Sequence, residues 1–468
     1  MANLPLPALT FGIFHRLARM NSLMWFRRDL RLHDNPALAA ADQHGEKTAC
    51  MVMIDSALWP TWGAAKQAYL VDSLTELDKS LDGNLIVRHG DPIEQVLAVA
   101  KATNANKVFC AADFTTPGIE RDKKVKDVLQ ANGIEFEIVG SNYAVAPGRV
   151  KKPDETPYKV YTPFYKGWLA HGWRNPLEMN LSRNWVADLE SHGLPTVEMP
   201  VGMQRSRAGE AAALERFETF LANGVLNYKE FRDRADIDGT SKLSVALKWG
   251  EIHPRTLLAE LGDSAGEETF RKEIAWREFY ADVLFHNPHT VSEYLNPAFA
   301  NMEYNTGEIA QQHFEAWKTG NTGYPFVDAG MRQLLEEGWM HNRVRMVTAS
   351  FFVKDLHLEW QQGAAWFFEL LKDADVASNQ HGWQWTAGCG TDAAPYFRVF
   401  NPIMQGLKFD PNGDYVRKYI PELRHIDGAA VHEPWEQGDG YSHGYAKRII
   451  DHAVERDEAL RRYQALKN

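Results

Sequence analysis

The sequence predicts a parallel-sheet α/β domain joined by a long linker to a helical domain, and three observations carry that reading. Between Leu23 and about Ser141 short apolar runs alternate with helical patterns; from about residue 206 the pattern is helical throughout; residues 142–205 fit neither period and hold repeated Pro and Gly breaks. Alternating strand-like and helix-like segments mark βαβ units, and a lasting change of hydrophobic period marks a change of architecture.

The elements follow in order. Residues 1–20, MANLPLPALTFGIFHRLARM, hold an apolar stretch too short to span a bilayer, with basic residues after it instead of before it. That order does not suit a signal peptide, so the segment reads as a disordered extension. Residues 21–141 form the α/β unit, with LMWF, CMVMID, LIVRHG, VFCAAD and FEIVG as strands and AAKQAYLVDSLTELDKSL and PIEQVLAVAKA as helices between them. No GxGxxG follows the first strand and no GxxxxGK run ending in Ser or Thr occurs, so the usual dinucleotide and P-loop signatures are missing. The carboxyl edge of such a sheet can still bind a ligand. Residues 142–205, with KKPDETPYKVYTPFYKGW and HGLPTVEMPVG, read as an irregular interdomain linker. Residues 206–468 are helical and dense in aromatics, as in EAAALERFETFLANGV, FRKEIAWREFYADVLFH and AAWFFELLKDADVA.

Composition bounds the function. With 44% hydrophobic and 24% charged residues in 468, the chain is an ordinary globular one of about two to three domains. A net charge of −11 argues against sequence-blind coating of nucleic acid and leaves room for one local basic surface. Cys50, Cys110 and Cys389 lie far apart without a CxxC pair, which suggests neither a disulfide framework nor a thiolate metal site and suits a reducing cytoplasm. No metal and no membrane span is expected.

Three stretches carry chemistry. In GTSKLSVALKWG, Thr240, Ser241 and Ser244 place hydroxyls and backbone N–H groups at the start of a helix, which is either an N-cap or an anion site. Tyr228 and Arg232 upstream, with Lys242 and Lys248 inside, favour a diphosphate. In EIAWREFY, Glu273, Trp276, Arg277 and Tyr280 fall at i, i+3, i+4 and i+7, on one helical face. A packing face seldom carries Glu and Arg as well, whereas a nucleobase offers both a π-face and hydrogen-bonding edges. In WMHNRVRMVTASF, Asn342, Arg345 and Met346 share a face while Arg343 points elsewhere. Arg345 has a candidate partner in Asp373, and a buried pair of that kind needs further hydrogen bonds, which a ligand could supply. The segment DADVASNQHGWQW, Asp373 to Trp385, is too polar and aromatic for a packing helix. GCGTDA near Gly388 has no strand before it and is no dinucleotide fingerprint.

Eight motifs in order, WFRRDLRLHDNPAL, YTPFYKGW, GTSKLS, AWREFY, TGYPFVDAGMRQL, GWMHNRVRM, DADVASNQHGWQW and GTDAAPYFRVFNP, resemble those of the DNA photolyase and cryptochrome family, closest to class I cyclobutane pyrimidine dimer photolyases. The match runs from about Leu23 to beyond Glu433. The resemblance implies an α/β domain that can hold an antenna pigment and a helical domain holding FAD, active as FADH⁻, in a U shape beneath a DNA-facing hole. It assigns Tyr228 and Thr240, Ser241, Lys242, Leu243 and Ser244 to the FAD diphosphate region. Asp373, Ala374 and Asp375 flank flavin and ribose, with Arg345 pairing to Asp373. Asn379 stands against flavin N5, and Trp383 then Trp360 pass an electron to the photoexcited flavin. Glu273, Trp276, Arg277, Tyr280, Asn342, Met346 and Trp385 match the pocket for a flipped pyrimidine dimer. Arg232, Arg343, Arg398 and Gln405 match DNA contacts, the arginines chiefly to phosphates.

The implied activity is light-dependent splitting of the dimer by a carbon–carbon lyase that acts on DNA as a cytoplasmic monomer, with no obligate protein partner. This chain departs from the family pattern in places. Gly307 occupies the third relay tryptophan's position, about ten residues before Trp317, and Tyr304 is the nearest aromatic. Thr115 stands where folate-type members usually have Glu, while Asp113 and Lys248 match positions associated with a deazaflavin, so a deazaflavin antenna is expected over methenyltetrahydrofolate. Nothing in the pattern accounts for residues 1–19. The alternatives are a cryptochrome light sensor, whose marks would be a changed residue at 379 and a long C-terminal tail, and a (6-4) photoproduct enzyme, which would show paired histidines in place of HNRVRM. Asn379 argues against the light sensor, and Asn342 and Met346 favour the cyclobutane dimer.

Overall fold

The computed structural model describes residues 20–392 and 397–466; the expected extension at 1–19 and residues 393–396 of the GTDAAPYFRVFNP motif lie outside the described residues. The α/β unit is as expected. Strands β1 (Asn21–Phe26), β2 (Thr48–Asp55), β3 (Leu85–Gly90), β4 (Ala105–Ala112) and β5 (Glu135–Ser141) pair in parallel in the order β3-β2-β1-β4-β5. The crossovers carry α1 (Pro36–His44), α2 (Ala64–Ser80), α3 (Pro92–Ala102) and α4 (Thr116–Ala131). Asn35, Asp91 and Thr115 cap α1, α3 and α4 through their side chains, each with a proline in the following turn, where a missing N–H costs nothing. β1 is buried on both faces and β5 is a solvated edge whose Glu135 (3.0 Å) and Glu137 (2.6 Å) pair with Lys107 of β4. Strand order reverses between β1 and β4, the topological switch at which such sheets place ligands.

The linker is less irregular than its Pro and Gly content suggests. Helix α5 (Tyr161–His171) lies within it, because Tyr161, Phe164, Tyr165 and Trp168 recur at helical spacing and are all buried. The rest is helical. α6 (Glu210–Asn223), α7 (Tyr228–Phe231), α8 (Ser244–Trp249) and α9 (Pro254–Ala259) lead to the long α10 (Ala265–His286), which opens with a Ser264–Glu267 capping box. α11 (Gly307–Lys318), α12 (Pro325–Glu337), α13 (Asn342–Ser350), α14 (Trp360–Leu370) and α15 (Val376–Ala387) form the central bundle. α16 (Pro402–Phe409), α17 (Asp414–Tyr419) and α18 (His452–Ala465) complete it. Among the described residues no helix is long and apolar enough to cross a membrane.

The two parts share a core: Met24, Phe26 and Val52 of the sheet pack in one cluster with Val245 and Trp249 of α8. A second tie is Glu278 of α10, almost fully buried, whose carboxylate accepts hydrogen bonds from Trp168 Nε1 (2.6 Å), Val145 N (3.0 Å) and Ala144 N. It fixes the chain leaving β5, and α5, onto α10. Glu278→Ala would leave three donors without an acceptor, at roughly 1–3 kcal/mol each. Urea unfolding should therefore show a loss of at least about 3 kcal/mol, and Glu278→Gln, which keeps one acceptor oxygen, a smaller one.

Candidate cofactor and nucleic-acid site

One cavity of about 490 Å³ runs through the helical domain, lined by side chains from α7, α8, α10, α13, α14 and α15 and the turns before them. Its size is that of a small-molecule site. Nearly all of the motif residues come together here: Tyr228, Arg232, Ser241, Ser244, Lys248, Glu273, Trp276, Arg277, Tyr280, Asn342, Arg343, Arg345, Met346, Asp373, Ala374, Asp375, Asn379, Trp383 and Trp385 all line it.

The expected pair forms. Arg345 meets Asp373 in a bidentate contact, Nη1–Oδ1 3.1 Å and Nη2–Oδ2 2.8 Å, while its Nε donates to Met340 O. The Asp373 side chain is 2% exposed and that of Arg345 is 25% exposed. Two residues on, Asp375 caps α15 by accepting from Ser378 N and receives Arg28 Nη1 at 3.3 Å. Against the upward push of burial, Arg28 and Lys248 hold Asp375 below the usual carboxylate range. Burial lowers the Lys248 ammonium to about 8.

The hydroxyl loop differs from an N-cap. α8 starts only at Ser244 and its cap residue, Leu243, makes no side-chain capping bond. Instead Arg216 takes the carbonyls of Thr240 (2.8 Å) and Ser241 (2.8 Å). In a trans peptide the N–H points opposite to the C=O, so the N–H groups of Ser241 and Lys242 face away from Arg216; Ser241 and Ser244 line the cavity. Lys242 itself is exposed, paired to Asp238 at 3.1 Å.

Helix α15 supplies the wall opposite. The Asn379 amide donates to Ala364 O (3.0 Å) and Gln380 Oε1 (2.8 Å), so both of its N–H groups are engaged and the carbonyl oxygen is the acceptor that this lining residue has left to offer. Gly382 sits in the helix interior, where glycine costs roughly 1 kcal/mol relative to alanine; a Cβ there would meet no atom within 4 Å and would project into the void. A bare backbone facing a carboxylate–guanidinium pair suits a flat, polar-edged ring, so these residues fit a flavin. Glycine inside an otherwise helical stretch was the sequence signal for Gly382.

The two indoles of α15 part company. Trp383 is buried against Phe367 (5.0 Å between centroids), Phe352 and Trp317, whereas Trp385 is partly exposed. Trp360 is fully buried at the start of α14. Trp276 stacks on Tyr161 at 3.8 Å and 9°, so one indole face is packed and the other is left to the cavity. Glu273 accepts from Arg232 at 2.5 Å, and burial pushes its carboxyl up despite that neighbour. Arg343 pairs with Asp233 (2.8 Å) above the Phe409 ring. Arg398 is exposed and Gln405 lies one turn before Phe409 on α16, both outside the cavity lining. Arg277 turns its guanidinium to two backbone carbonyls, Asn142 O (2.9 Å) and Leu247 O (3.2 Å), and so ties α10 to neighbouring segments at the cavity edge.

Away from the cavity, at the switch point of the sheet, Asp113 receives Arg28 (3.3 Å) and Arg121 (3.4 Å) and the N–H and hydroxyl of Thr115. Thr115 is thereby engaged as the cap of α4. Lys248 lies on the cavity, where the Arg28 guanidinium adds to burial in weakening its charge and Asp375 and Asp113 support it. Among the described residues no group of three or more His, Cys, Asp or Glu side chains could hold a metal ion.

Fold and site together define a two-domain protein whose parallel sheet backs a helical domain built around one internal ligand cavity. Residues 22–181 match the family model of DNA photolyase, and residues 270–465 that of the FAD binding domain of DNA photolyase. The deoxyribodipyrimidine photo-lyase of Alkalihalophilus pseudofirmus is 36% identical, over 93% of this chain and 96% of that protein. The crystal structure of a bacterial class III photolyase from Agrobacterium tumefaciens superposes with a TM-score of 0.87 at 34% identity, covering 98% of this chain and all of that one (100%). A Synechocystis cryptochrome gives 0.84 at 26% identity, covering 94% and 98%. The chain belongs to the DNA photolyase family.

The ion pair at the base of the cavity yields a test. Arg345→Met strands the buried Asp373 carboxylate and should cost about 3–5 kcal/mol, read by thermal and urea unfolding. Adding Asp373→Asn should recover a good part of that loss, because an amide is far less costly to bury unpaired than a charge.

Proposed function

We propose that this chain is a light-driven carbon–carbon lyase that splits cyclobutane pyrimidine dimers in DNA, with FAD in the central cavity. The observation that carries it is a void lined by two kinds of group: a polar set, the Arg345–Asp373 pair and the Asn379 amide with bare Gly382, and a stacking set, Trp276 and Trp385 with Glu273. Relatives named deoxyribodipyrimidine photo-lyase along nearly the full length support it. When bound, reduced FAD would supply, on excitation, the electron needed to open the cyclobutane ring and would regain it afterwards, with no net redox change.

The chain's own residues then have defined tasks. Arg345, held by Asp373, offers a cation beside the ring system; the Ser241 and Lys242 N–H groups cradle the diphosphate, with Tyr228, Leu243 and Ser244 around it. Asn379 accepts a ring N–H without adding a negative charge. Trp276 and Trp385 stack on a flipped dimer, whose extrusion is eased by its already impaired pairing and stacking, and Glu273 hydrogen-bonds its edge. Met346 and Asn342 line the entrance, and Arg232, Arg343, Arg398 and Gln405 meet the strand outside. Trp383 and Trp360 return electrons to oxidised FAD. A second chromophore of the deazaflavin class is proposed at the sheet's switch point, on the charges of Asp113 and Lys248; mass analysis of pigment extracted from the native host tests it, and a bound folate would refute it.

Two variants separate the halves of DADVASNQHGWQW. Trp383→Phe should sharply slow photoreduction of oxidised FAD while chemically reduced enzyme still repairs. Trp385→Ala should leave photoreduction nearly intact and weaken binding to dimer-containing DNA by roughly 1–3 kcal/mol. Trp276→Ala should do the same for damaged DNA with little effect on undamaged duplex; equal losses on both would mean that its stack on Tyr161 is all that matters. Repair of dimer-containing and (6-4)-containing oligonucleotides under light, scored side by side, tests the lesion assignment.

A further inference from the structure

The relay toward the flavin has no tryptophan where Gly307 stands, and Gly307 opens α11 with nothing within 4 Å of where its Cβ would be. Another aromatic path leaves Trp360. Trp383 rests on Gly363, one turn along α14 from Trp360; a Cβ on that glycine would come within 2.2 Å of the Trp383 ring. Trp360 is fully buried and its Nε1–H finds no acceptor among the described residues. The ring it meets is Tyr294, at 6.2 Å between centroids and 82°. The Tyr294 hydroxyl lies 3.0 Å from Glu359 Oε1 and 3.1 Å from the Tyr304 hydroxyl. A phenol has one proton to donate, and the carboxylate is the stronger acceptor, so Tyr294 donates to Glu359 while Tyr304 donates to Tyr294. Gln384, next to Trp383, holds the segment in place by bonding Thr290 O, Glu293 O and Leu295 N.

We infer that Tyr294 is the terminal internal electron donor of photoreduction in this chain, with Glu359 receiving its proton. The inference rests on the reading of Trp383 and Trp360 as relay residues. Trp383 gives one electron to the photoexcited flavin, Trp360 refills Trp383, and Tyr294 refills Trp360. Tyr294 then becomes a neutral phenoxyl radical as its O–H proton moves along the existing hydrogen bond to Glu359. In sum one electron passes from tyrosine to flavin and one proton from tyrosine to carboxylate. The environments explain the direction. An oxidised Trp360 has no side chain or carbonyl among the described residues to take its N–H proton and so stays the stronger oxidant; Tyr294 can lose proton and electron together, which traps the hole away from the flavin. Tyr304, partly exposed beyond it, offers a contact for an external reductant.

The test is pulsed blue light on the FAD-loaded, oxidised protein, with the radical identified by electron paramagnetic resonance and transient absorption. Native protein should give a neutral tyrosyl radical that forms more slowly in D₂O. Tyr294→Phe should give a short-lived tryptophanyl radical cation instead and lower the yield of lasting flavin reduction several-fold. Glu359→Gln, which keeps shape but cannot take the proton, should lower the tyrosyl yield comparably; a packing role alone would not respond to it. FAD content and melting temperature guard against misfolding, and if Tyr294→Phe loses FAD the Glu359→Gln result decides by the same readout. An unchanged radical and yield in Tyr294→Phe would overturn the inference, as would a tyrosyl signal that survives there and vanishes in Tyr304→Phe. Trp360→Phe separates the levels: if it too leaves photoreduction unchanged, the relay reading itself fails; if it alone abolishes photoreduction, only Tyr294's role fails.

Discussion

The arrangement depends on one side chain, Arg28, just past the end of β1. Its guanidinium reaches Asp113, beyond β4, and Asp375, the residue that caps α15. Burial by itself would weaken the charge, but Asp113 and the other acids around it more than offset this, and the arginine stays firmly protonated. The clasp joins the switch point of the sheet to the first turn of the helix that carries Asn379, Gly382, Trp383 and Trp385. The backbone beneath it is close-packed as well: a Cβ on Gly250, which has φ +70°, would sit 2.0 Å from Arg28 O. Moving α15 would therefore break the Arg28–Asp375 pair and leave Asp113 as the partner of Arg28 at the switch point.

Around that anchor the cavity separates charge from neutrality. Carboxylates near it are paired or capped, Asp373 by Arg345, Asp375 by Arg28 and Glu273 by Arg232. The position that faces the centre of α15's inner face is a neutral amide, oriented by two acceptors, and beside it is a glycine with no side chain. An unpaired charge in such a place would shift its ionisation or cost several kcal/mol. A neutral carbonyl accepts a hydrogen bond without that penalty. Around the residues proposed to meet the lesion the same economy of charge holds, with Arg232 meeting Glu273 and Arg343 meeting Asp233, so these cations are set against acids on a chain whose net charge is −11.

Packing and the proposed electron relay are linked at α14. Gly363 is the notch in which Trp383 lies, and Trp360 precedes it by one turn, so the helix sets the order of the aromatic rings. Beyond Trp360 the order passes to a different segment, residues 290–295, positioned by Gln384 from α15. Helix α15 thus governs both the cavity wall and the placement of Tyr294.

The sequence by itself determined the layers and much of the site. Period-2 and period-3.6 patterns report how successive side chains leave a backbone, a property of a few neighbouring residues, so all five strands and the Glu273, Trp276, Arg277 and Tyr280 face were legible. The Arg345–Asp373 pair was legible too, because an acid and a base in two otherwise aromatic stretches have few other partners. Tertiary structure decided the rest. That Arg216 turns the Thr240–Ser241 carbonyls outward, that Arg277 serves two backbone carbonyls, that Tyr161 covers one face of Trp276 and that Tyr294 meets Trp360 are contacts between segments 24 to 135 residues apart. No local period encodes them. They follow from which apolar faces bury each other, and only the folded chain brings those faces together.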